Sequence, residues 1–132
     1  MTMQFGALTR KRCQYGWMLF AGPYTGRCFD FYGQYSESEV AMMRSFLAPG
    51  STVIDVGANM GDPTLPLSQI VEGTGKVIAF ESNPEVFNVL CANLAMNQVG
   101  TALPVNAFVT GAPSNADQYG CPLPITLRSP NT

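Results

Sequence analysis

Thr52-Val53-Ile54-Asp55-Val56-Gly57-Ala58-Asn59-Met60-Gly61, followed by Lys76-Val77-Ile78-Ala79-Phe80-Glu81, decides the fold. The first run is apolar except at Asp55 and gives way to a loop holding Gly57 and Gly61. A continuous apolar run of that length predicts a strand covered on both faces, as in parallel sheets. The second run predicts another short strand, ending in a carboxylate. In a right-handed strand–helix–strand unit the two strands lie side by side, so both exits open at one edge of the sheet. Ligands of open α/β sheets bind outside the carboxyl ends of strands. This chain concentrates its polar groups at those two ends, and the functional site is expected there.

The residues at the exits narrow the ligand. A dinucleotide fingerprint needs G-x-G-x-x-G, whose second glycine lets the backbone touch a pyrophosphate. Asn59 stands at that position, within Asp55-x-Gly57-x-Asn59-x-Gly61. Asp55 would repel a phosphate but can hold an ammonium group, directly or through water. Glu81 offers two oxygens to two adjacent hydroxyls, the geometry of a ribose acceptor. A ligand with an amino-acid end, a nucleoside end and no phosphate is S-adenosylmethionine. The bland alternative is that both acids only cap strand ends. As an exposed strand-end carboxylate, Glu81 is expected to matter for binding and little for folding.

Val53-Ile54-Asp55-Val56-Gly57-Ala58-Asn59-Met60-Gly61-Asp62 and Ala79-Phe80-Glu81-Ser82-Asn83-Pro84-Glu85-Val86-Phe87 resemble motifs of the FkbM-type S-adenosylmethionine-dependent methyltransferases. Tyr32-Gly33-Gln34-Tyr35-Ser36-Glu37 and Leu90-Cys91-Ala92-Asn93-Leu94-Ala95-Met96-Asn97 are similar to segments of that family too. The resemblance runs from Tyr15 to Val109. It implies a class I, Rossmann-like core, methyl transfer from S-adenosylmethionine, and a sheet in which the third strand is an edge. It also implies further strands after the third, with an acidic strand-end motif of the Asp-Val-Glu-Gly type. Nothing of that pattern follows Val109, so the chain is expected to be truncated after the third strand. Pro63 departs from the family, which often carries His, Tyr or Phe there. The cofactor-binding set is Asp55, Gly57, Ala58, Asn59, Gly61, Asp62, Glu81, Ser82 and Asn106. Within it, Asp55 faces the methionine amino group, Gly57 and Gly61 allow backbone approach, Asn59 shapes the loop and Glu81 takes the ribose hydroxyls. Asn106 either reaches an adenine edge or is a satisfied loop-side amide. No catalytic residue is singled out; transfer from a sulfonium is chemically primed, so orientation and proximity suffice.

Length and composition bound the rest. The 132 residues allow one domain, and a domain of about 150 residues buries roughly two-thirds of its unfolded surface. Hydrophobic content of 46% is ordinary for a globular protein, and 12% charged is low. A net charge of −2 argues against general nucleic-acid binding, which needs a basic face. Arg10-Lys11-Arg12 is expected as a solvated segment before the first strand. Without histidine there is no ready general base near neutral pH. A metal site would rest on Cys or carboxylate, and no spacing supports one. The cysteines form no C-x-x-C pair and Cys91 falls in a predicted helix, so a reduced, cytoplasmic protein is expected. No apolar run approaches the roughly 18 residues of a membrane span, and the N-terminus has no signal-peptide core. The expected partners are a small-molecule or glycan-type acceptor and a second copy meeting the exposed edge of the central strand.

Along the chain, Trp17–Phe20 and Arg27–Tyr32 are aromatic-rich, strand-like runs, and Gly22-Pro23-Tyr24-Thr25-Gly26 between them is turn chemistry. They predict a β-hairpin, either an edge cover or a lid bringing Tyr32 or Tyr35 near the cofactor. Ser36 and Glu39 form a capping box opening a helix with Val40, Met43, Phe46 and Leu47 on one face, which Pro49-Gly50 ends. Asp62 as N-cap and Pro63 as first helical residue start a second helix, from Pro63 to Val71, whose free N–H groups point toward the crevice. Asn83 caps and Pro84 opens a third, with Phe87, Leu90, Cys91 and Leu94 buried. Leu103–Val109 is the third strand, and Pro104 places it at a sheet edge. From Thr110 onward the chain reads as loop or disorder, with Leu123–Leu127 hinting at an edge strand.

The organisation expected is therefore an N-terminal arm and β-hairpin over residues 1–35, a partial methyltransferase cofactor-binding domain over 36–109 with a mostly parallel three-stranded sheet, and a loop-like tail over 110–132. Two competing readings are a non-catalytic cofactor-binding fragment and an NAD-dependent Rossmann oxidoreductase, against which Asn59 argues.

Overall fold

The computed structural model of the chain describes residues 3–5, 7–110 and 124–126. In chain order these form β1 (Met3–Phe5), β2 (Leu8–Arg12), β3 (Trp17–Phe20), α1 (Thr25–Tyr32), α2 (Glu37–Phe46), β4 (Thr52–Val56), α3 (Thr64–Val71), β5 (Lys76–Glu81), α4 (Pro84–Met96), β6 (Ala102–Asn106), β7 (Phe108–Thr110) and β8 (Pro124–Thr126).

The centre is the parallel sheet β4-β5-β6, with Asp55 opposite Ala79 and Glu81 opposite Asn106. Its strands are short apolar runs whose crossovers carry α3 and α4. Alternation sends Val77, Ala79 and Glu81 of β5 to the helical side, where all three are buried. Val77 packs with Val40, Leu67, Ile70 and Val71; Ala79 packs with Ala58, Leu90 and Leu94. α4 starts as expected, with Asn83 Oδ1 accepting from Glu85 N–H at 2.9 Å and Val86 N–H at 3.1 Å. Pro84 follows as the first helical residue.

The opposite face departs from the expectation of a strand covered on both sides. The register stacks Ile54, Ile78 and Leu103 in one rung and Val56, Phe80 and Val105 in the next. Ile54 is 61%, Val56 59% and Leu103 59% exposed. Among the described residues nothing pairs with the outer edge of β4. Pro104 lies in β6, which pairs only with β5 in this sheet, so it removes no ladder bond from an interior strand.

Ahead of this core stands an antiparallel sheet, β1-β2-β3, whose hairpin is not the expected one. Trp17–Phe20 is a strand, but it pairs backward with Leu8–Arg12 across a turn at Cys13–Gly16. Arg27–Tyr32 is helical. Gly33 stops that helix in the left-handed conformation (φ 68°), its N–H on the Phe29 carbonyl at 3.0 Å. Only Phe29 of the aromatic run is buried, stacked on Phe20 with ring centroids 5.6 Å apart, while Phe31 and Tyr32 face solvent. One inward aromatic suits a helix; a strand would have needed alternation. The basic cluster is likewise part of β2. Lys11 Nζ donates to the Phe29 and Asp30 carbonyls at the end of α1, a cation at a helix C-terminus.

Two helix starts differ from expectation. Ser36 sits in the left-handed region (φ 58°), so its side chain makes no cap; Gln34 Oε1 accepts from Glu37 N–H at 3.2 Å instead. Asp62 does not cap α3, which begins at Thr64 with Pro63 at the cap position. The expected third strand is broken at Ala107 into β6 and β7, and β7 pairs in parallel with β8. That pairing realises the hint at Leu123–Leu127 as an edge ribbon separate from the central sheet. The loop-like reading of the remaining tail falls on residues 111–123 and 127–132, outside the described residues.

Candidate functional site

The expected edge of the sheet is where the acids meet. β4 ends on Val56 and the chain turns at Gly57 (φ 82°), a backbone only glycine adopts without strain. The N–H groups of Gly57 and Ala58 both go to the Phe80 carbonyl of β5 at 2.9 Å. They close the loop onto its neighbour and leave no open cradle for a pyrophosphate there. Asn59 is left-handed (φ 51°), and its N–H donates to Glu81 Oε2 at 2.9 Å. The other Glu81 oxygen accepts from Asn83 N–H at 2.7 Å.

Glu81 is thus 9% exposed and fixed by two backbone donors. The expectation of an exposed strand-end carboxylate, indifferent to folding, is corrected. Each carboxylate oxygen has a second lone pair, so the side chain can still accept two hydroxyls. Its orientation is set before any ligand arrives.

Asp55 is buried, 9% exposed, and its Oδ2 accepts from Thr64 Oγ1 at 2.6 Å. Burial pushes its carboxyl above the usual range; the Thr64 hydroxyl opposes this and the Glu81 charge adds to it. Thr64 is completely buried and escaped the sequence reading, although a hydroxyl in the first turn after such a loop is its only signal. Asp62 lies beside this pair. Burial pushes it to about 6, its own backbone N–H and the Asn59 side chain hold it back, and Asp55 and Glu39 repel its charge. Its Oδ1 is buried and finds no hydrogen-bond partner among the described residues.

Of the other expected site residues, Gly61 and Asn106 are engaged by the fold itself, and only Gly57 and Ser82 line the cavity between the strand ends. Gly61 (φ 95°) presses on α4, since a Cβ there would stand 3.0 Å from Leu90 Cδ1; a Cβ on Gly57 would meet nothing within 4 Å. Of this pair, only Gly57 faces open space. Asn106 Nδ2 donates to the carbonyls of Glu81 at 2.8 Å and Ser82 at 3.3 Å, so its amide hydrogens are spent on the exit of β5. Between the strand ends, Val56, Gly57, Phe80, Ser82, Ala107, Phe108 and Val109 line a cavity of about 140 Å³. That is room for one end of a nucleoside-sized ligand rather than the whole. Tyr32 and Tyr35 do not line it. Among the described residues no group of three His, Cys, Asp or Glu side chains converges as a metal site, and no helix is long and apolar enough to cross a membrane.

These features fit S-adenosylmethionine. Two oriented carboxylates stand at adjacent strand exits, a third has an orphaned buried oxygen, and the loop's first N–H groups are already taken.

No protein family and no curated protein matches the sequence. Solved structures match its fold. TYW2 of P. horikoshii in complex with MeSAdo is 20% identical over 89% of this chain and 47% of its own, with a TM-score of 0.56. A SAM-dependent methyltransferase from Aquifex aeolicus is 24% identical over 60% of this chain and 42% of its own, with a TM-score of 0.51. A protein-L-isoaspartate O-methyltransferase is 19% identical over 55% and 24%, with a TM-score of 0.52. The chain therefore spans between 24% and 47% of the length of these proteins. At such identities the likeness is one of fold, and the fold is the class I, Rossmann-like one of the S-adenosylmethionine-dependent methyltransferases.

Proposed function

We propose that this chain binds S-adenosylmethionine at the exits of β4 and β5 and carries the cofactor half of a methyltransferase of FkbM type. The observation that supports this most is Glu81, held by Asn59 N–H and Asn83 N–H with lone pairs left for a ribose diol. The cofactor supplies an activated methyl group when bound. Asp55 and Asp62 attract its ammonium group, Glu81 orients its ribose, and Gly57 lets the backbone approach. Ala58, Asn59, Gly61, Ser82 and Asn106 shape the loop and the strand ends around it.

Residues 36–109 act as the cofactor-binding unit, residues 1–35 as an arm packed on it, and 110–132 as a tail. The acceptor is a small-molecule or glycan-type compound that this half alone does not position, so binding without turnover is the expected behaviour. The exposed Ile54, Val56 and Leu103 and the outer edge of β4, unpaired among the described residues, favour self-association. Free thiols at Cys13, Cys28 and Cys91 suit a reducing, cytoplasmic setting. The NAD reading finds no support in a loop whose Gly57 and Ala58 N–H groups are spent on Phe80.

Isothermal titration with S-adenosylmethionine, S-adenosylhomocysteine and NAD tests the proposal. Binding of the first two with NAD silent is expected. NAD binding without S-adenosylmethionine binding overturns it.

A further inference from the structure

The loop after β4 is held from behind by a residue outside the expected cofactor-binding set. β3 pairs with β2 along one edge. Along the other, the backbone of Trp17 and Leu19 meets side chains of α4. Asn97 Oδ1 accepts from Trp17 N–H at 2.8 Å, and its Nδ2 donates to the Trp17 carbonyl at 2.7 Å. One turn earlier, Asn93 Oδ1 accepts from Leu19 N–H at 2.6 Å, and its Nδ2 donates to the Leu19 carbonyl at 2.9 Å. Residues four apart share a helix face and residues two apart share a strand side. The two amides therefore act as a short strand built from side chains. Gly16 belongs to the same clamp, because a Cβ there would overlap the Asn97 amide.

The two asparagines differ in their remaining hydrogen. Asn97 spends it inside α4, on the Asn93 carbonyl at 2.7 Å. Asn93, 1% exposed, spends it on the Met60 carbonyl at 2.7 Å. Met60 lies between Asn59 (φ 51°) and Gly61 (φ 95°), both left-handed. For a non-glycine such as Asn59, that backbone persists only where its surroundings over-determine it. From the crevice, Glu81 holds the Asn59 N–H. From behind, Asn93 holds the Met60 carbonyl, and the Met60 side chain is buried with Met18, Phe20 and Phe29.

We infer that Asn93 is a positioning residue for the cofactor loop, fastening it to the N-terminal sheet so that docking of that sheet and occupation of the crevice strengthen one another. The inference rests on the cofactor reading of the crevice given above. Coupling of this kind is reciprocal: whatever the clamp adds to ligand affinity, the ligand adds to the clamp.

The test combines hydrogen exchange by mass spectrometry on the full chain with titration of S-adenosylhomocysteine. Saturating ligand is expected to slow exchange at residues 17–20, none of which belongs to the proposed cofactor-binding set. Asn97→Ala and Gly16→Ala leave the crevice and the Asn93–Met60 bond in place. Both are expected to speed exchange over residues 57–61 in ligand-free protein and to weaken ligand binding about threefold. Asn93→Ser should weaken it about tenfold or more. An Asn97 that merely supports folding would leave exchange at 57–61 unchanged, and that result overturns the inference whether or not ligand binds. If the unaltered chain binds no S-adenosylhomocysteine, the cofactor reading fails and the ligand-free exchange still decides the coupling. If Asn93→Ser does not fold, Asn97→Ala and the protection of residues 17–20 decide it.

Discussion

Replacing Glu81 with alanine separates binding from folding at one carboxylate. The side chain accepts Asn59 N–H at 2.9 Å and Asn83 N–H at 2.7 Å while only 9% exposed. Hydrogen bonds to charged groups contribute about 1.5–3 kcal/mol each. Asn83 is exposed and water can replace its partner, whereas Asn59 is half-buried and its N–H sits in the turn of the loop. The larger loss is therefore at Asn59, and Glu81→Ala should cost about 2 kcal/mol of stability. For a chain of this length that lowers Tm by roughly 5–10 °C. Cofactor affinity should fall separately by tenfold or more, from the loss of two hydroxyl contacts. Urea unfolding followed by circular dichroism measures the first effect, and titration at a temperature where the variant is fully folded measures the second. An unchanged unfolding midpoint would refute the two backbone bonds, and an unchanged Kd would remove Glu81 from the site. Glu81→Asp, one methylene shorter, should lose affinity while keeping the charge.

Three further outcomes are expected. Asp62 has its folded pKa raised to about 6 from 3.8, chiefly by burial. Its contribution to stability is therefore full below the unfolded value and is lost as pH rises toward 6. Asp62→Asn should flatten that part of the urea-measured profile, raise stability at pH 7 by about 1–2 kcal/mol, and weaken cofactor binding in a titration run in parallel. Thr64→Val should destabilise by about 1–3 kcal/mol, because it strips the 2.6 Å hydroxyl contact from buried Asp55. Thr64→Ser should restore most of that loss in the same denaturant assay. Ile54→Lys places a charge on the 61% exposed centre of the open face of β4, and should shift sedimentation velocity toward monomer at high protein concentration. A purely monomeric parent protein would contradict self-association there.

The central sheet was legible because its signals are local. Apolar runs of five and six residues, the Asn83-Pro84 start of α4, and the two acids at strand ends depend on near neighbours alone. The N-terminal region was not legible on that basis. Arg27–Tyr32 carries strand-forming aromatics, and its helix is supported by Gly33 and by partners distant from it in sequence, Phe20 against Phe29 and Lys11 at its last carbonyls. Ser36 and Asp62 looked like caps by residue type, but Ser36 has a left-handed backbone and α3 starts one residue later than expected, with Pro63 rather than Asp62 at the cap position. The apolar stripe expected on α4 was partly wrong for the same reason. Asn93 is more deeply buried there than Phe87 or Cys91, since its partners in β3 and at Met60 lie far away in sequence.

The asparagine clamp also dictates an order of events during synthesis. The bonds from Leu19 to Asn93 and from Trp17 to Asn97 span 74 and 80 residues, whereas β4, α3, β5, α4 and β6 each pack on near neighbours. Contacts between distant residues form late, after local ones have shortened the chain between them. On a ribosome adding about 5–20 residues per second, β3 emerges roughly 4–15 s before its partners on α4 exist. During that interval Phe20 can already meet Phe29 of α1, but the Trp17 and Leu19 backbone groups on the outer edge lack their asparagine partners. The outer edge of β3 is thus a second aggregation-exposed feature, confined to the nascent chain, and a chaperone that holds apolar strands would find its window there.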